Sequence, residues 1–434
     1  MKHLLPLFFI RSEKLRSPLY LSWLLLVLAA FVFVAFRMGS TLQLQADFTV
    51  FWQAGINFHN GVELYSRIGG AERYIYPPFA AMLFQVLALF PLKVAGSIWA
   101  FFNLLMWVLM ANAMKQLLCY TSIQDKKFRF ALLIAFFLSF RYFWYHLMFM
   151  QMNVLVLLLS IWALLFYLKN KPLAAVALLL VATGIKILPI VFLCWLLSKS
   201  GPKLWMQTLA MSLLILVIPF VWRGWEMGWK DLNDYYITFL EPFQSGRVEP
   251  KLQNYALSAS IYKWFVPLSE PSPYFSPIYA MTAEKAGLIY KIVLLAFLLL
   301  FSVMLYFSRF LVQKISLNEV AFVLLFTNLV SGITWEYHLV SLLPVLVIYF
   351  CVNRNHDRWY QCIFQFIIIA TLIFNAIVGT DTVGVRMYYI SCGYSFPTVL
   401  MLLLLIDFSM RVFQPKREAD LLLQEKHTSA SAIA

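Results

Sequence analysis

Long apolar runs separated by short polar breaks make up most of this 434-residue chain. Runs of about 18–25 residues recur, each enough for a helix to cross a hydrocarbon core of roughly 30 Å. They lack the polar/apolar alternation of membrane barrel strands. A span must satisfy its backbone hydrogen bonds internally, so helices are expected. The pattern predicts helices at 19–36, 94–118, 129–147, 152–168, 172–184, 187–198, 204–221, 287–308, 319–333, 338–352, 360–379 and 389–410. The arms 172–184 and 187–198 meet at Thr183-Gly184-Ile185-Lys186 and are each too short to span. They predict a hairpin that reaches part way across and carries Lys186 below the outer surface. The expected fold class is an all-α polytopic membrane protein, one integral-membrane domain with about 12 transmembrane helices.

The loops are less uniform. Residues 37–93 form a first outer loop rich in aromatics, in which Phe48, Phe51, Trp52, Ile56 and Phe58 recur at helical spacing. That spacing reads as an amphipathic helix at the outer interface, or as a tethered loop with aromatic belt residues. Tyr76-Pro77-Pro78 breaks the backbone and sets up a helix entry. Phe79–Phe90 then spans only about 18 Å as a helix, which suits a second interfacial or re-entrant element. The longest extramembrane stretch, 222–286, has a weakly amphipathic piece at Tyr255–Phe265; Pro267, Pro271, Pro273 and Pro277 predict irregular loop after it. Residues 1–18 form a basic leader with Lys2, Arg11, Lys14 and Arg16, and 411–434 read as a charged, then Ser/Ala-rich, disordered tail. The first apolar run lacks a small-residue cleavage site and reads as a retained span.

Composition agrees with a membrane protein: 62% of residues are hydrophobic and 12% charged, where a soluble domain has about half and about a quarter. The formal charge of +14 would suit nucleic acid if it formed a surface, but it sorts by side. With the N-terminus inside, inner segments hold 20 basic and 8 acidic residues, outer segments 14 and 12. That is the positive-inside pattern. It predicts an inner-membrane, multi-pass protein with both termini cytoplasmic and no nucleic-acid partner. Asp47, Lys186, the 222–286 loop and Trp335–His338 then face outside. The first loop balances Arg37, Arg67 and Arg73 against Asp47, Glu63 and Glu72. The five cysteines show neither pairing nor metal-ligand spacing.

On the outer side the candidate chemistry centres on Asp47, a carboxylate among aromatics just past the first span, able to act as a general base. Lys186 would cost several kcal/mol at its depth unless an anion or water-filled cavity meets it, or unless it snorkels to the headgroups. Gln151, Asn153, Gln253, Asn254, Trp335, Glu336 and His338 complete a ring of polar groups and aromatic walls. Such groups, with Trp52, Tyr65 and Tyr76, suit the faces and hydroxyls of a sugar, while Lys186 and His338 suit a phosphate. No metal site, glycine-rich phosphate loop or cofactor is indicated.

The order Asp47, aromatic helix, Gly61, Tyr65, Tyr76-Pro77-Pro78 resembles the first loop of polyprenol-phosphate-mannose-dependent mannosyltransferases, glycosyltransferase family 87 of the GT-C fold class. The likeness continues through Gln151-Met152-Asn153, Ala182-Thr183-Gly184-Ile185-Lys186-Ile187-Leu188-Pro189 and Trp335-Glu336-Tyr337-His338, most of residues 20–350. Two positions depart from it. Met150 replaces a glycine before the Gln-X-Asn turn, and Asn254-Tyr255-Ala256-Leu257 replaces an Asn-Gln-Ser-Leu. The resemblance implies an inverting hexosyltransferase. It would move a sugar, mannose in the family, from a polyprenyl phosphate to a lipid or glycan acceptor. Asp47 would be the base, and Lys186 with His338 would hold the leaving phosphate, without a metal. A transporter or flippase of lipid-linked saccharides is the alternative, though no internal repeat supports it. A ligase-like enzyme resting on Arg247 ranks third.

Overall fold

The structure is a computed structural model that describes residues 18–41, 47–66, 73–121, 123–244, 248, 250–267, 274–312, 315–351 and 359–413. The leader through residue 17, Arg67, Glu72, Arg247, Pro271, Pro273 and the tail from residue 414 lie outside them.

Among the described residues the regular elements are helices. In order they are α1 (Pro18–Ser40), α2 (Asp47–His59), α3 (Pro78–Ala88), α4 (Leu92–Leu118), α5 (Asp125–Met148) and α6 (Asn153–Leu168). Next come α7 (Pro172–Ile185), α8 (Ile190–Ser198), α9 (Pro202–Arg223) and α10 (Trp225–Tyr235), which continues through a π-helical turn (Tyr236–Leu240) into α11 (Glu241–Gln244). They are followed by α12 (Leu257–Phe265), α13 (Ala283–Phe307) and α14 (Leu317–Val330). A 3₁₀ turn (Glu336–Ser341) leads into α15 (Leu342–Cys351), and α16 (Trp359–Ile377), α17 (Thr380–Gly393) and α18 (Phe396–Val412) close the chain.

The expected helices form, the last of them as a bent pair. Six helices (α1, α4, α5, α9, α13 and α16) are long and apolar enough to cross a membrane. The pair α17 and α18, bent by 55°, is a seventh candidate. The expected single run 389–410 breaks where Ser395 takes φ 54° and Pro397 opens α18. The shorter apolar helices α6, α14 and α15 are buried on nearly every side. A helix apolar all round is a buried core element or a membrane span, and hydropathy alone does not separate the two. The spanning helices keep large apolar side chains on their outsides, such as Phe33 and Phe36 of α1 or Leu295 and Leu299 of α13, which is what lipid requires.

The bundle has two chemically distinct ends. At one, Tyr167 in the last turn of α6 bonds Lys199 O (3.3 Å) and Ser200 Oγ (3.2 Å) after α8. Arg309 donates to Ser198 O and Ser200 O, and Lys199 pairs with buried Glu319 at 3.1 Å. Since α7 starts and α8 ends there, the two arms form a hairpin with both feet on the basic end and Lys186 at its tip. At the other end lie Asp47, Gln151, Asn153 and His338.

The stretch after α9, to which the sequence assigned no element before Tyr255, is helical as well. Arg223 ends α9, and α10 folds straight back with Gly228 against the Phe220 ring, where a Cβ would come within 2.5 Å of Cδ1. Trp225 and Trp229, one turn apart, close on the same ring. Arg223, Glu226, Lys230 and Asp231 around these tryptophans mask a helix period that was present.

Candidate functional site

The loop after α1 builds one wall. Asp47 opens α2, so its carboxylate sits at the positive end of the helix dipole. At the far end of α2, Arg223 donates to Asn57 O (2.9 Å) and Val62 O (2.8 Å) and pairs with Asp231 at 2.9 Å. Both ends of the helix are thereby fixed. Beneath it Gly55 lies against the α3 backbone, where a Cβ would meet Phe84 C at 2.7 Å. Phe48, Phe51, Phe84 and Trp99 pack between α2, α3 and α4.

The second wall is the turn before α6. Gln151 Nε2 donates to Asp47 Oδ2. Its neighbour Met150 takes φ 49°, in the left-handed region that favours glycine. Met150 tolerates it while fully packed, with its carbonyl accepting from Trp99 Nε1 at 2.7 Å. Tyr76 lies against Asp47 and Gln151; burial first, then the Asp47 charge, raises its phenol pKa.

Lys186 projects from the hairpin tip. Its Nζ donates to Asn153 Oδ1 at 2.7 Å, lies 2.7 Å from His338 Nε2 and sits 5.7 Å from the Tyr76 ring centroid. Burial pushes its pKa down to about 7, with the Asp47 charge opposing that shift. His338 is also shifted down, by burial and then by Lys186 and His146. Its Nδ1 accepts the Trp335 backbone N–H at 2.9 Å.

These groups open onto a cavity of about 550 Å³. Asp47, Tyr76, Lys186, Trp335, Glu336 and His338 line it, and Gln151 and Asn153 stand directly behind Asp47 and Lys186. Three expected contacts are placed elsewhere. Trp52 donates to Phe90 O at 3.0 Å and ties α2 to the end of α3. Tyr65 donates to Tyr76 O at 2.7 Å beneath the wall. Asn254 is fully buried: its Oδ1 accepts from Ala256 N (3.1 Å) and Thr334 N (2.9 Å), and Nδ2 donates to Gly332 O (3.3 Å). It shapes the strand of chain that delivers Trp335 to His338.

Several residues at the cavity or behind its wall were not singled out by sequence. Arg141 on α5 pairs with Glu336 Oε1, which also accepts from Tyr255 (3.1 Å) and Tyr388 (3.4 Å). A lone arginine inside an apolar run is itself a signal, since its cost in lipid demands a partner. Tyr145, Tyr388, Arg73 and Lys251 also face the cavity, and no local pattern marks them. Among the described residues no three His, Cys, Asp or Glu side chains gather as a metal-binding group.

Beside the cavity runs an apolar groove of about 280 Å³ that shares Pro77, Ile187 and Tyr235 with it. Phe79, Gly184, Ile190 and Ile215 line its length. Residues 74–332, more than half of the chain, match the model of glycosyltransferase family 87. Comparison with curated proteins and with solved structures gives no match.

Proposed function

The chain belongs to glycosyltransferase family 87, and from that premise we propose that it moves a hexose from a polyprenyl phosphate to a lipid or glycan acceptor at the outer face of the inner membrane. It is a multi-pass membrane glycosyltransferase with a sugar donor and an acceptor. The observation that carries the finer reading is one cavity with a carboxylate on one wall and a lysine–histidine pair on the other. The adjoining groove supports a lipid donor. It starts at Ile187, next to Lys186, so a phosphate held by Lys186 puts an attached prenyl chain at the groove's mouth.

The reaction runs as follows. Asp47 takes the proton of the acceptor hydroxyl, whose oxygen attacks the anomeric carbon. The bond from that carbon to the lipid phosphate oxygen breaks, and the configuration inverts. Lys186 and His338 stabilise the departing phosphate, charge that grows only as the bond breaks. Gln151 fixes the carboxylate, and Asn153 fixes the amine. Mannose is the sugar proposed, on the resemblance described above.

Asp47→Asn tests this reading. The asparagine oxygen still accepts from Gln151, so the wall is preserved while the base is lost. General-base loss lowers kcat by about 10²–10⁴, or roughly 3–5 kcal/mol. Purified protein given polyprenyl-phosphate mannose and an acceptor should release lipid phosphate; the variant should bind the donor but turn over at that reduced rate. Undiminished turnover would remove Asp47 from the chemistry.

A further inference from the structure

The hydrogen bonds around His338 fix more than its position. Its Nδ1 accepts from the Trp335 N–H (2.9 Å), so Nδ1 carries no proton, and the neutral ring must carry one on Nε2. That Nε2–H points at Lys186 Nζ, 2.7 Å away. A lysine ammonium has three donors and no lone pair, and two donors cannot share one bond. An imidazole that accepted on both nitrogens would be an anion. With Nδ1 accepting from Trp335, His338 Nε2–H donates to a neutral Lys186 amine, which donates to Asn153 Oδ1 (2.7 Å); the Ile333 backbone is the one contact that favours a protonated ring.

The remaining neighbours fit this count. His146 on α5 accepts the Val154 N–H at Nε2 (3.2 Å), so it too is uncharged. Asp47 on α2 is the anion whose charge acts on Lys186, and Tyr76 presents its ring face to the amine. Arg73, Lys251, Glu336 and Tyr145 face the same cavity from further elements. Burial outweighs the Asp47 attraction, which is why the amine's pKa falls to about 7 rather than staying near 10.5.

We propose that Lys186 is a neutral amine in the empty site and takes up one proton when the donor's phosphodiester binds, so that donor binding is coupled to proton uptake. The bookkeeping is complete without a co-reactant. The Lys186 lone pair gains a proton from solvent and becomes an ammonium. His338 keeps its single proton and turns Nε2–H from the lysine nitrogen to a phosphate oxygen. The phosphodiester stays a monoanion throughout. At alkaline pH the empty cavity thus holds no bare ammonium, and the positive charge appears with the anion that needs it. This deepens the proposed donor reading and rests on Lys186 being its phosphate ligand.

The test uses the purified full-length enzyme in detergent and a short prenyl methyl phosphodiester, which has no group titrating near neutrality. Calorimetry in buffers of different ionisation enthalpy gives the protons exchanged per ligand. At about pH 8.5 the wild type should take up about one proton, falling towards zero at about pH 5.5, where the amine is already charged. Lys186→Arg, with a permanently charged guanidinium, should bind with no uptake at either pH. Wild-type binding without uptake at the higher pH, or equal uptake by Lys186→Arg, overturns the coupling while leaving the donor site in place. No binding, or binding indifferent to Lys186→Ala, overturns both.

Discussion

The Arg141–Glu336 pair allows a quantitative test of how the cavity is held. The side chains are 9% and 5% exposed, and the pair joins α5 to the turn that carries His338. Removing one member of a buried ion pair costs about 3–5 kcal/mol, because the other is left charged and unpaired. Here the two sides differ. In Arg141→Met, Glu336 keeps the Tyr255 and Tyr388 hydroxyls at 3.1 and 3.4 Å, so the loss should fall at the low end, about 3 kcal/mol. In Glu336→Gln the guanidinium keeps Asn375 O at 3.5 Å and the faces of Tyr145 and Tyr388, while its Nε has no partner. A neutral amide can still accept from it, and about 3–4 kcal/mol is expected. The double variant holds neither stranded charge, so it should lose about 3 kcal/mol rather than the sum, a coupling of roughly 3 kcal/mol. Titration with SDS in mixed micelles, followed by tryptophan fluorescence, measures all three. Additive losses, or single losses below about 0.5 kcal/mol, would refute the pair as a structural tie.

Gly184→Ala brings a Cβ to 2.7 Å from the Phe79 ring and 3.3 Å from Ile215. Overpacking of about 1–3 kcal/mol should raise the KM of long-chain donors several-fold more than that of short-chain analogues, and equal changes would detach the groove from the donor. Met150→Gly relieves a left-handed residue by about 1–2 kcal/mol but deletes a buried side chain worth about 2–5 kcal/mol, so the same titration should show a net loss; a gain would mean the side chain contributes little. For Lys186 the folded pKa is depressed, so its neutral form contributes stability that is full above 10.5 and lost as pH falls towards about 7. Wild-type thermal stability should therefore rise with pH across that window relative to Lys186→Met, and parallel curves would contradict the burial of the amine.

Much of this was legible in the chain. Helix positions followed the apolar runs, and α2 followed the spacing of Phe48, Phe51, Trp52 and Phe58. The 13-residue and 12-residue arms around Lys186 were too short for any reading but a hairpin. What hydropathy could not separate was a span from a core helix, because Leu317–Val330 is as apolar as a lipid-facing segment yet buried all round. The polar wall from Asp47 to His338 was visible because each residue interrupts an apolar context. Tyr255 and Tyr388 were not, since a tyrosine in an aromatic-rich chain carries no mark until Glu336 is seen to need a donor. Asn254 shows the converse: an amide in a loop beside the aromatic walls suggests a sugar contact, while the structure spends its bonds on the backbone of residues 256, 332 and 334.

The same ion pair sets an order of events during synthesis. Arg141 and Glu336 are 195 residues apart, so at about 5–20 residues per second α5 exists for roughly 10–40 s before its counter-ion is made. Throughout that time the helix carries a guanidinium whose burial in a membrane costs about 2.5–3.5 kcal/mol on insertion scales. Stable entry of α5 into lipid must then wait for, or borrow from, a neighbour already in place. The cavity can close only when the last third of the chain arrives.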